Sequence, residues 1–333
     1  MDLKTNYLGL DLKNPFMVGS SPLTNSLDRV KQLEDAGASA LIMHSLFEEQ
    51  IIHETEITGF EDYRFGKLLT PDQAVYPSAE EFPTNSEAYL ALIQKIKETT
   101  DLPVFASLNG VSEGVWIEYA RLIEEAGADA LELNLYTLPT HSYDSSQFVE
   151  KRLVEIVDVT RNSVSIPIAV KIASHYTSIC NFAQRLEYAG ANGLVLFNQL
   201  FQPDLDIRRK KLVPKLYFSD KKDLLERLRW VSILHSRLKL DIAVSGGVQT
   251  GEDALKSMLC GAKVVQCVSA ILKDGPSRLT SIMDQFVELS DELGYENLEE
   301  IRGSFCGLLE PDPQAVERAN YLRILQGWAP DSN

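Results

Sequence analysis

The feature that most constrains the fold is a pattern that occurs four times along the chain. In each copy an amphipathic helix ends at a glycine and a short apolar run follows. The copies are QLEDAGASALIM (32–43), LIEEAGADALEL (122–133), LEYAGANGLVLF (186–197) and LKSMLCGAKVVQC (255–267). A glycine suits the position just after a helix, where a left-handed backbone carries no Cβ penalty. Because the runs are apolar at consecutive residues, each predicts a strand covered on both faces, as in a parallel sheet flanked by helices.

Counting all such runs gives eight predicted strands, each followed by a helical segment. The strands are 15–20, 40–45, 103–109, 130–135, 167–172, 193–198, 241–247 and 264–269. The helices are 26–36, 86–99, 113–126, 146–162, 178–189, 220–237, 251–260 and 276–293. Eight strand–helix units predict an α/β fold, a closed (β/α)₈ TIM barrel. A doubly wound open sheet is the alternative, but it needs a reversal of strand order that the sequence does not indicate.

Two connections are longer than usual, 46–85 after the second strand and 199–219 after the sixth. Both are expected to arch over the barrel mouth. We assign 1–303 to the barrel and 304–333 to a C-terminal extension with a helix at about 313–326. Apolar residues of the extension predict that it docks on the barrel or on a second subunit. They are Leu322, Leu325 and Trp328.

Charge and cysteine spacing exclude several classes of function. The net charge of −16 over 333 residues argues against a nucleic-acid or anionic-membrane partner, because phosphate contacts need clustered Lys and Arg. The four cysteines lie far apart, without the ligand spacing of a zinc site or an iron–sulfur cluster. No secretion signal or long apolar run is visible, so we expect a cytoplasmic protein with reduced thiols.

Small and polar residues stand at the C-terminal ends of the predicted strands. They are Gly19, Ser20, His44, Ser45, Asn109, Asn134, Lys171, Asn198, Gly246, Gly247 and Ser269. That end of a TIM barrel forms its active face. A capped strand end could explain any one of these residues, but a whole ring of them predicts a ligand site.

The last two units indicate a phosphate ligand. SGGVQTGEDA (245–254) ends a strand in a diglycine and begins a helix, while QCVSA (266–270) ends the next strand. The loops after the seventh and eighth strands form the recurrent phosphate site of these barrels, where glycines allow close approach of the backbone. A diglycine alone serves any tight turn, so its position in the seventh unit carries the prediction.

Lys171 lies among apolar residues at the end of the fifth predicted strand. A lysine inside a barrel mouth costs desolvation free energy unless an anion or acceptor meets it. Three interpretations are open: the side chain extends to solvent, it pairs with Glu132 across the sheet, or it faces the electron-rich ring of a cofactor.

At these residues the chain resembles the FMN-binding dihydroorotate dehydrogenase family, over about residues 3–303. The resemblance is carried by YLGLDLKNPFMVGSSPL (7–23), ELNL (132–135), AVKI (169–172) and above all SGGVQTGEDALKSMLCGAKVVQCVSAILKDGP (245–276). It implies a barrel that binds FMN, with Lys171 at the N1/O2 edge of the flavin. The residues along the flavin would be Gly19, Ser20, Ser45, Asn109 and Asn134. Gly246, Gly247 and the backbone near Val268 and Ser269 would hold the phosphate.

The substrate side departs from that family. After ELNL the family has Cys or Ser as the catalytic base at the second position, then Pro and a substrate-binding Asn. Here the positions read Tyr136, Thr137, Leu138 and Pro139. Thr137 therefore falls where the base should be, and the substrate Asn is missing.

Two further positions of the substrate side differ. His44 replaces a lysine that contacts flavin and substrate, and the motif N-x-x-G-x-x-N is absent between 59 and 89. Asn134, Asn198 and His44 are the predicted substrate contacts.

His44 ranks first among the groups that could build a different site, because a histidine titrates near neutrality. Its alternative is a strand-end histidine bonded to backbone. His141 and Tyr143 could also contribute, and Arg64 and Lys67 could cover an anionic substrate or simply be solvated.

The resemblance implies an FMN-dependent oxidoreductase that acts on a CH–CH bond, as dihydroorotate dehydrogenases do in pyrimidine biosynthesis. The departures on the substrate side predict an altered small-molecule substrate. Thr137 or His44 would take a proton and Lys171 would balance charge on the reduced cofactor. The chain has neither a G-x-G-x-x-G fingerprint nor cluster-binding cysteines, so electrons would pass to an external acceptor or a partner electron-transfer subunit. We expect a homodimer.

Two alternative functions stay open. One is a flavin-bound accessory subunit without dehydrogenase activity, and the other is a flavin-free lyase or isomerase acting on a phosphorylated substrate.

Overall fold

The computed structural model describes residues 1–54, 85–110, 115–199, 203–213, 215–306 and 312–327. Its strands are β1 (Thr5–Tyr7), β2 (Leu10–Leu12), β3 (Phe16–Val18), β4 (Ala40–Phe47), β5 (Val104–Asn109), β6 (Ala130–Asn134), β7 (Ile168–Ile172), β8 (Gly193–Leu196), β9 (Asp204–Asp206), β10 (Lys211–Val213), β11 (Asp241–Ser245) and β12 (Val264–Cys267). Eight of them close into a parallel barrel in the order β11-β12-β3-β4-β5-β6-β7-β8. Each predicted strand is one of these eight, so the (β/α)₈ prediction is confirmed and the open-sheet alternative is wrong.

Helices surround the barrel as the sequence predicts. They are α1 (Leu27–Asp35), α2 (Glu48–Glu54), α3 (Ser86–Thr99), α4 (Val115–Glu125), α5 (Ser146–Arg161), α6 (Ile179–Tyr188), α7 (Lys221–His235), α8 (Gly251–Leu259), α9 (Ser269–Asp274), α10 (Ser277–Glu292), α11 (Leu298–Ile301) and α12 (Pro313–Gly327), with a 3₁₀ turn at Pro22–Thr24. Among the described residues, no helix combines the length and the apolar character needed to cross a membrane.

The barrel strands are covered on both faces, which explains their consecutive apolar residues. Every residue of β6 and β7 is buried. Outward side chains such as Leu131 and Val170 join the large cluster between strands and helices. Inward side chains such as Met17, Phe105 and Ala169 form a second cluster inside the barrel.

The N-terminal hairpin of β1 and β2 closes one end of the barrel. Tyr7, Leu8 and Leu12 belong to the interior cluster, and the Tyr7 ring stacks on Phe105 with the centroids 5.9 Å apart. The backbone N–H of Leu8 donates to Asp241 Oδ2 at 2.8 Å, at the first residue of β11. The hairpin therefore covers the N-terminal strand ends and leaves the C-terminal ends, the barrel mouth, for a ligand.

The four glycines of the repeated pattern take the backbone conformation that the sequence predicts. Gly37, Gly127, Gly190 and Gly261 have φ of 98°, 94°, 93° and 109°. They follow α1, α4, α6 and α8 and lead into β4, β6, β8 and β12. Around the barrel these are every second strand.

The two insertions and the extension are described in part. Residues 55–84, with Arg64 and Lys67, lie outside the described residues, and the second insertion contains the exposed antiparallel hairpin of β9 and β10. None of the described residues of α12 is buried, and Glu317 pairs with Arg229 of α7 at 2.9 Å. Trp328 lies outside the described residues. The boundary at 303 and the docking of the extension stay predictions.

Candidate functional site

Alternation along the strands brings predicted site residues to the same level of the barrel mouth. In register, Asn109 of β5 pairs with Asn134 of β6, and Asn134 pairs with Lys171 of β7. In a parallel sheet, residues in register project to the same face. Asn134 and Lys171 are 7% and 6% exposed. Three residues that the sequence predicted separately thus form one row.

Lys171 is held by two buried polar residues, Glu132 and Gln266, and we call the three the polar triad. Lys171 Nζ lies 3.3 Å from Glu132 Oε1 and 3.5 Å from Gln266 Oε1. Gln266 Nε2 donates to Glu132 Oε2 at 2.6 Å. The predicted pairing of Lys171 with Glu132 is therefore present. An ammonium has three donors and the triad uses two, so the pairing leaves Lys171 one donor for a ligand.

Asn134 carries an unsatisfied acceptor. Its Oδ1 is buried and has no hydrogen-bond partner among the described residues. A buried acceptor without a partner costs about 1–3 kcal/mol, so a strand end that keeps one favours a ligand that donates to it. The sequence predicted that this amide needs a partner, and the described backbone does not supply one to Oδ1.

Three serine hydroxyls form a chain across the mouth from β4 to its neighbours. Ser45 Oγ lies 3.2 Å from Ser20 Oγ and 2.8 Å from Ser107 Oγ. The structure thus joins two predicted residues, and adds Ser107, which sequence reasoning missed. The backbone of Ser107 is bonded in turn to the hydroxyl of Tyr89, with N–H to Oη at 2.9 Å.

Gly19 stands where a side chain would collide with the neighbouring strand end. A Cβ at this position would lie 2.6 Å from Val268 Cγ2 and 3.2 Å from Gln266 Cβ. Its backbone N–H donates to the Cys267 carbonyl at 3.2 Å. The absence of a side chain here lets the end of β3 pack closely against the end of β12 at the mouth.

His44 is placed with Tyr89 rather than with the polar triad. The register of β4 against β5 shifts between Ile42 and Ser45, and the His44 ring meets Tyr89 edge to face with centroids 5.0 Å apart. Burial lowers the pKa of His44 to about 4, so the imidazole is neutral at pH 7. The prediction that it titrates near neutrality is wrong. Its Nδ1 is buried and lacks a partner among the described residues.

The loop after β6 contains the predicted base. Tyr136 and Thr137 are half-buried, whereas His141 and Tyr143 are exposed, Tyr143 by 93%. Asn198 is half-buried after β8, and its backbone N–H donates to the Ile172 carbonyl at 2.8 Å. The roles of Thr137 and Asn198 stay predictions, and nothing in the geometry places His141 or Tyr143 at the mouth.

The predicted phosphate loops are in contact through Ser219, which sequence reasoning missed. Ser219 Oγ accepts from the Gly247 N–H at 3.0 Å and lies 2.8 Å from Ser269 Oγ. Gly246 and Gly247 have φ of 87° and 85°, and a Cβ on Gly247 would lie 2.6 Å from the Leu224 nitrogen. The Gly247 N–H and one of the two serine hydroxyl protons are used within this cluster, so the first N–H groups of α9, which begins after Val268, are the donors that remain for an anion.

A buried arginine supports the diglycine. Arg227 of α7 is 3% exposed, and its Nε and Nη1 donate at 2.6 Å to the carbonyls of Ser245 and Asp223. Its Nη2 lies 3.0 Å from the position that a Cβ of Gly246 would take. A guanidinium beside the turn adds positive charge to a loop pair already rich in donors.

These features fit a flavin with a phosphate tail. The unsatisfied Asn134 Oδ1, the Lys171 ammonium and the loops at Gly247 and Ser269 all stand at or just after the C-terminal ends of barrel strands. A ligand that donates a hydrogen bond, carries an electron-rich ring and ends in an anionic group would use all three.

Comparison with known proteins agrees with this geometry. A family model described as dihydroorotate dehydrogenase matches residues 84–289, more than half of the chain. The catalytic subunit of dihydroorotate dehydrogenase B (NAD(+)) from Methanocaldococcus jannaschii is 27% identical over 308 residues, covering 90% of this chain and 97% of its own. The NAD-dependent dihydropyrimidine dehydrogenase subunit PreA from Escherichia coli K12 is 25% identical over 320 residues, covering 91% and 76%. Dihydroorotate dehydrogenase A (fumarate) from Lactobacillus helveticus is 26% identical over 311 residues, covering 90% and 96%.

Proposed function

Because the chain belongs to the dihydroorotate dehydrogenase family, we propose that it is an FMN-dependent oxidoreductase that oxidises the CH–CH bond of a dihydropyrimidine-like substrate. The observation that carries the proposal is the row of Asn109, Asn134 and Lys171, in which Asn134 Oδ1 is buried without a partner among the described residues. Bound FMN would supply two-electron transfer at its N5.

The residues of the chain would divide into a phosphate end and a ring end. At the phosphate end, the first N–H groups of α9 and one hydroxyl of the Ser219–Ser269 pair would donate, with Arg227 behind the diglycine turn. At the ring end, Asn134 Oδ1 would accept a hydrogen bond and Lys171 would offer positive charge. Binding at both ends orients the ligand along the mouth.

Thr137 is the proposed proton acceptor for the substrate. An alcohol holds its proton far more tightly than a thiol, so Thr137 needs a water or a neighbouring base to remove that proton. His44 is a weak base because of its lowered pKa of about 4, and we keep it with Asn134 and Asn198 as a proposed substrate contact.

The electron acceptor is proposed to be an external molecule or a partner electron-transfer subunit. Two of the similar proteins are named as subunits, one of an NAD-dependent dihydropyrimidine dehydrogenase and one the catalytic subunit of an NAD(+) enzyme. We further propose a homodimer.

A second candidate is a flavin-bound accessory subunit without dehydrogenase activity. The observation that favours it is the sequence after Asn134, where Thr137, Leu138 and Pro139 replace the catalytic and substrate residues that the family resemblance implies. Each lost polar contact is worth about 1–3 kcal/mol of substrate binding.

A visible absorption spectrum of the purified protein, followed by anaerobic addition of dihydroorotate, tests the proposal. We expect flavin bands that bleach in the natural protein and bleach much more slowly in Thr137→Val, which keeps the shape and removes the hydroxyl. Bands that persist with dihydroorotate and with other dihydropyrimidines would favour the accessory subunit. A colourless protein that fails to take up added FMN would overturn the flavin proposal and favour a phosphorylated substrate.

A further inference from the structure

We infer that Glu132 and Gln266 are positioning residues that hold the Lys171 ammonium at the barrel mouth and thereby set the reduction potential of the bound cofactor. The inference rests on the proposed function, since it requires FMN at the mouth. It assigns a role to two buried residues that the proposed binding contacts do not use.

The polar triad spans the whole width of the barrel. In the barrel order, β6 and β12 are separated by three strands on either side, so Glu132 and Gln266 come from opposite walls. Their side chains nevertheless meet at 2.6 Å, Gln266 Nε2 to Glu132 Oε2. The contact between Glu132 and Gln266 therefore crosses the interior, and Glu132 stands two residues before Asn134 in β6, one inward position deeper than the row of Asn109, Asn134 and Lys171.

Burial makes the charges of the triad effective. Glu132 and Gln266 are each 1% exposed, so bulk water does not screen the carboxylate from the ammonium. Below the triad, Tyr7 of the N-terminal hairpin stacks on Phe105 in the interior cluster. With that end filled by side chains, the barrel mouth is the side from which an electron-rich ligand can reach Lys171.

Gln266 bridges the two charges with both ends of its amide. Its Nε2 donates to Glu132 while its Oε1 faces Lys171 Nζ at 3.5 Å. A carboxamide has one accepting and one donating end, so the two charges fix its orientation and it fixes the distance between them. A hydrophobic residue at this position would leave Glu132 with one partner fewer.

The sign of the effect follows from charge. Reduction of the flavin places negative charge on its ring, and the positive charge of Lys171 stabilises that form. The negative charge of Glu132 offsets part of this stabilisation, because it lies 3.3 Å from Lys171 Nζ. Removing the charge of Glu132 is therefore expected to favour the reduced flavin, and adding a second carboxylate to the triad is expected to favour the oxidised flavin.

The test is the equilibrium between the flavin of the intact holoprotein and a reference redox dye, followed anaerobically by absorbance. For Glu132→Gln we expect at least a tenfold shift towards reduced flavin, which corresponds to about 30 mV for a two-electron couple. Gln266→Glu in the natural background is expected to shift the equilibrium in the opposite direction. The double variant Glu132→Gln with Gln266→Glu restores one carboxylate to the triad and should return the equilibrium to within threefold of the natural protein.

Glu125→Gln is the matched control, because it makes the same chemical change at an exposed residue of α4 and should not shift the equilibrium. If Glu132→Gln binds flavin and its equilibrium stays within twofold of the natural protein, the inference is wrong. If Glu132→Gln does not fold, the inference is judged by Gln266→Glu, which keeps Lys171 paired, and a shift smaller than twofold there overturns it. A natural protein that takes up no FMN would instead defeat the proposed function.

Discussion

At the scale of single residues, the barrel mouth contains two kinds of buried polar atom. Lys171, Glu132 and Gln266 are hydrogen-bonded to one another, whereas Asn134 Oδ1 and His44 Nδ1 have no partner among the described residues. Hydrogen-bonded groups are held in a fixed geometry. A buried polar atom without a hydrogen bond destabilises the folded protein until a ligand supplies the missing partner. The second kind therefore marks where a ligand would gain most.

Burial of His44 should make stability depend on pH. The unfolded chain binds a proton at this residue near pH 6.5, but the folded pKa is about 4. As the pH falls from about 6.5 to 4, the free energy of unfolding should decrease by up to about 3 kcal/mol from this group. Urea unfolding at several pH values, compared with His44→Gln, isolates the effect. Equal pH dependence in the two proteins would contradict it.

Gly247 should tolerate no side chain. Gly247→Ala adds a Cβ that meets the Leu224 nitrogen at 2.6 Å, at a φ of 85°. Gly9 has a φ of 84° with nothing within 4 Å of such a Cβ, so Gly9→Ala is the matched control. We expect Gly9→Ala to cost about 1–2 kcal/mol from the backbone alone and Gly247→Ala about 1–3 kcal/mol more. Chemical denaturation measures both, and equal losses would show that the close approach is unimportant.

Among the elements, the N-terminal hairpin closes the N-terminal end of the barrel with its side chains. Leu8 packs over Gly193 at the start of β8, where a Cβ would lie 2.5 Å from Leu8 Cδ2. Tyr7 fills the interior above it but leaves its hydroxyl buried and without a partner among the described residues. Burial, with Glu132 and Asp241 nearby, raises the pKa of that hydroxyl, so it stays protonated.

The packing of Tyr7 in this hairpin predicts different effects of two substitutions on the free energy of unfolding. Tyr7→Phe keeps the ring and removes the unsatisfied hydroxyl, so the free energy of unfolding should stay the same or rise by about 1 kcal/mol. Tyr7→Ala leaves a cavity and should lower it by about 3–5 kcal/mol. Guanidinium unfolding distinguishes the two, and a clear loss of stability in Tyr7→Phe would show that the hydroxyl has a structural partner.

The elements themselves were largely predictable from sequence. Consecutive apolar residues identified all eight barrel strands, and glycine after a helix identified four of the turns, because both signals are local. The register shift in β4 was not predictable, since LIMHSL contains no residue that requires a bulge. His44 lies within the shifted segment and packs edge to face on Tyr89, and it is burial that lowers the pKa that the sequence placed near neutrality.

The candidate site was predictable by position but not by pairing. Strand ends indicated Asn134 and Lys171, yet Gln266 meets Lys171 and Glu132 from across the barrel, and no spacing rule links residues across a barrel. One local signal was available. Gln266 is a polar residue inside the apolar run VVQCVS, and a polar residue in a doubly covered strand must have a partner. Ser219 offered no such signal, because it lies outside the strands, directly before the N-cap residue Asp220 of α7, where a serine is ordinary.

At the scale of the whole molecule, the barrel is complete without the last described helix. None of the described residues of α12 is buried, and its ion pair between Glu317 and Arg229 is nearly half exposed on both side chains. Exposed pairs contribute about 0–1 kcal/mol. The extension therefore adds little to the barrel within the described contacts.

Removal of residues 312–333 should leave the barrel intact. We expect the melting temperature to fall by no more than about 3 °C and the flavin content to be unchanged, because the lost contacts are exposed. Calorimetry and absorbance measure the two quantities, and size-exclusion chromatography shows whether the extension joins subunits. A large fall in melting temperature together with loss of flavin would show that the extension docks on the barrel.

The four glycine turns recur around the barrel as an approximate fourfold repeat. Since Gly37, Gly127, Gly190 and Gly261 precede every second strand, the repeating module is a pair of strand–helix units, and four modules close the circle. This matches the interior of such barrels, where each layer takes four side chains from alternate strands. All four turns lie at the end of the barrel opposite the mouth. The end of the barrel with the glycine turns is thus repetitive. At the mouth, each of the four modules carries different residues, and this difference allows a repetitive barrel to bind one asymmetric molecule.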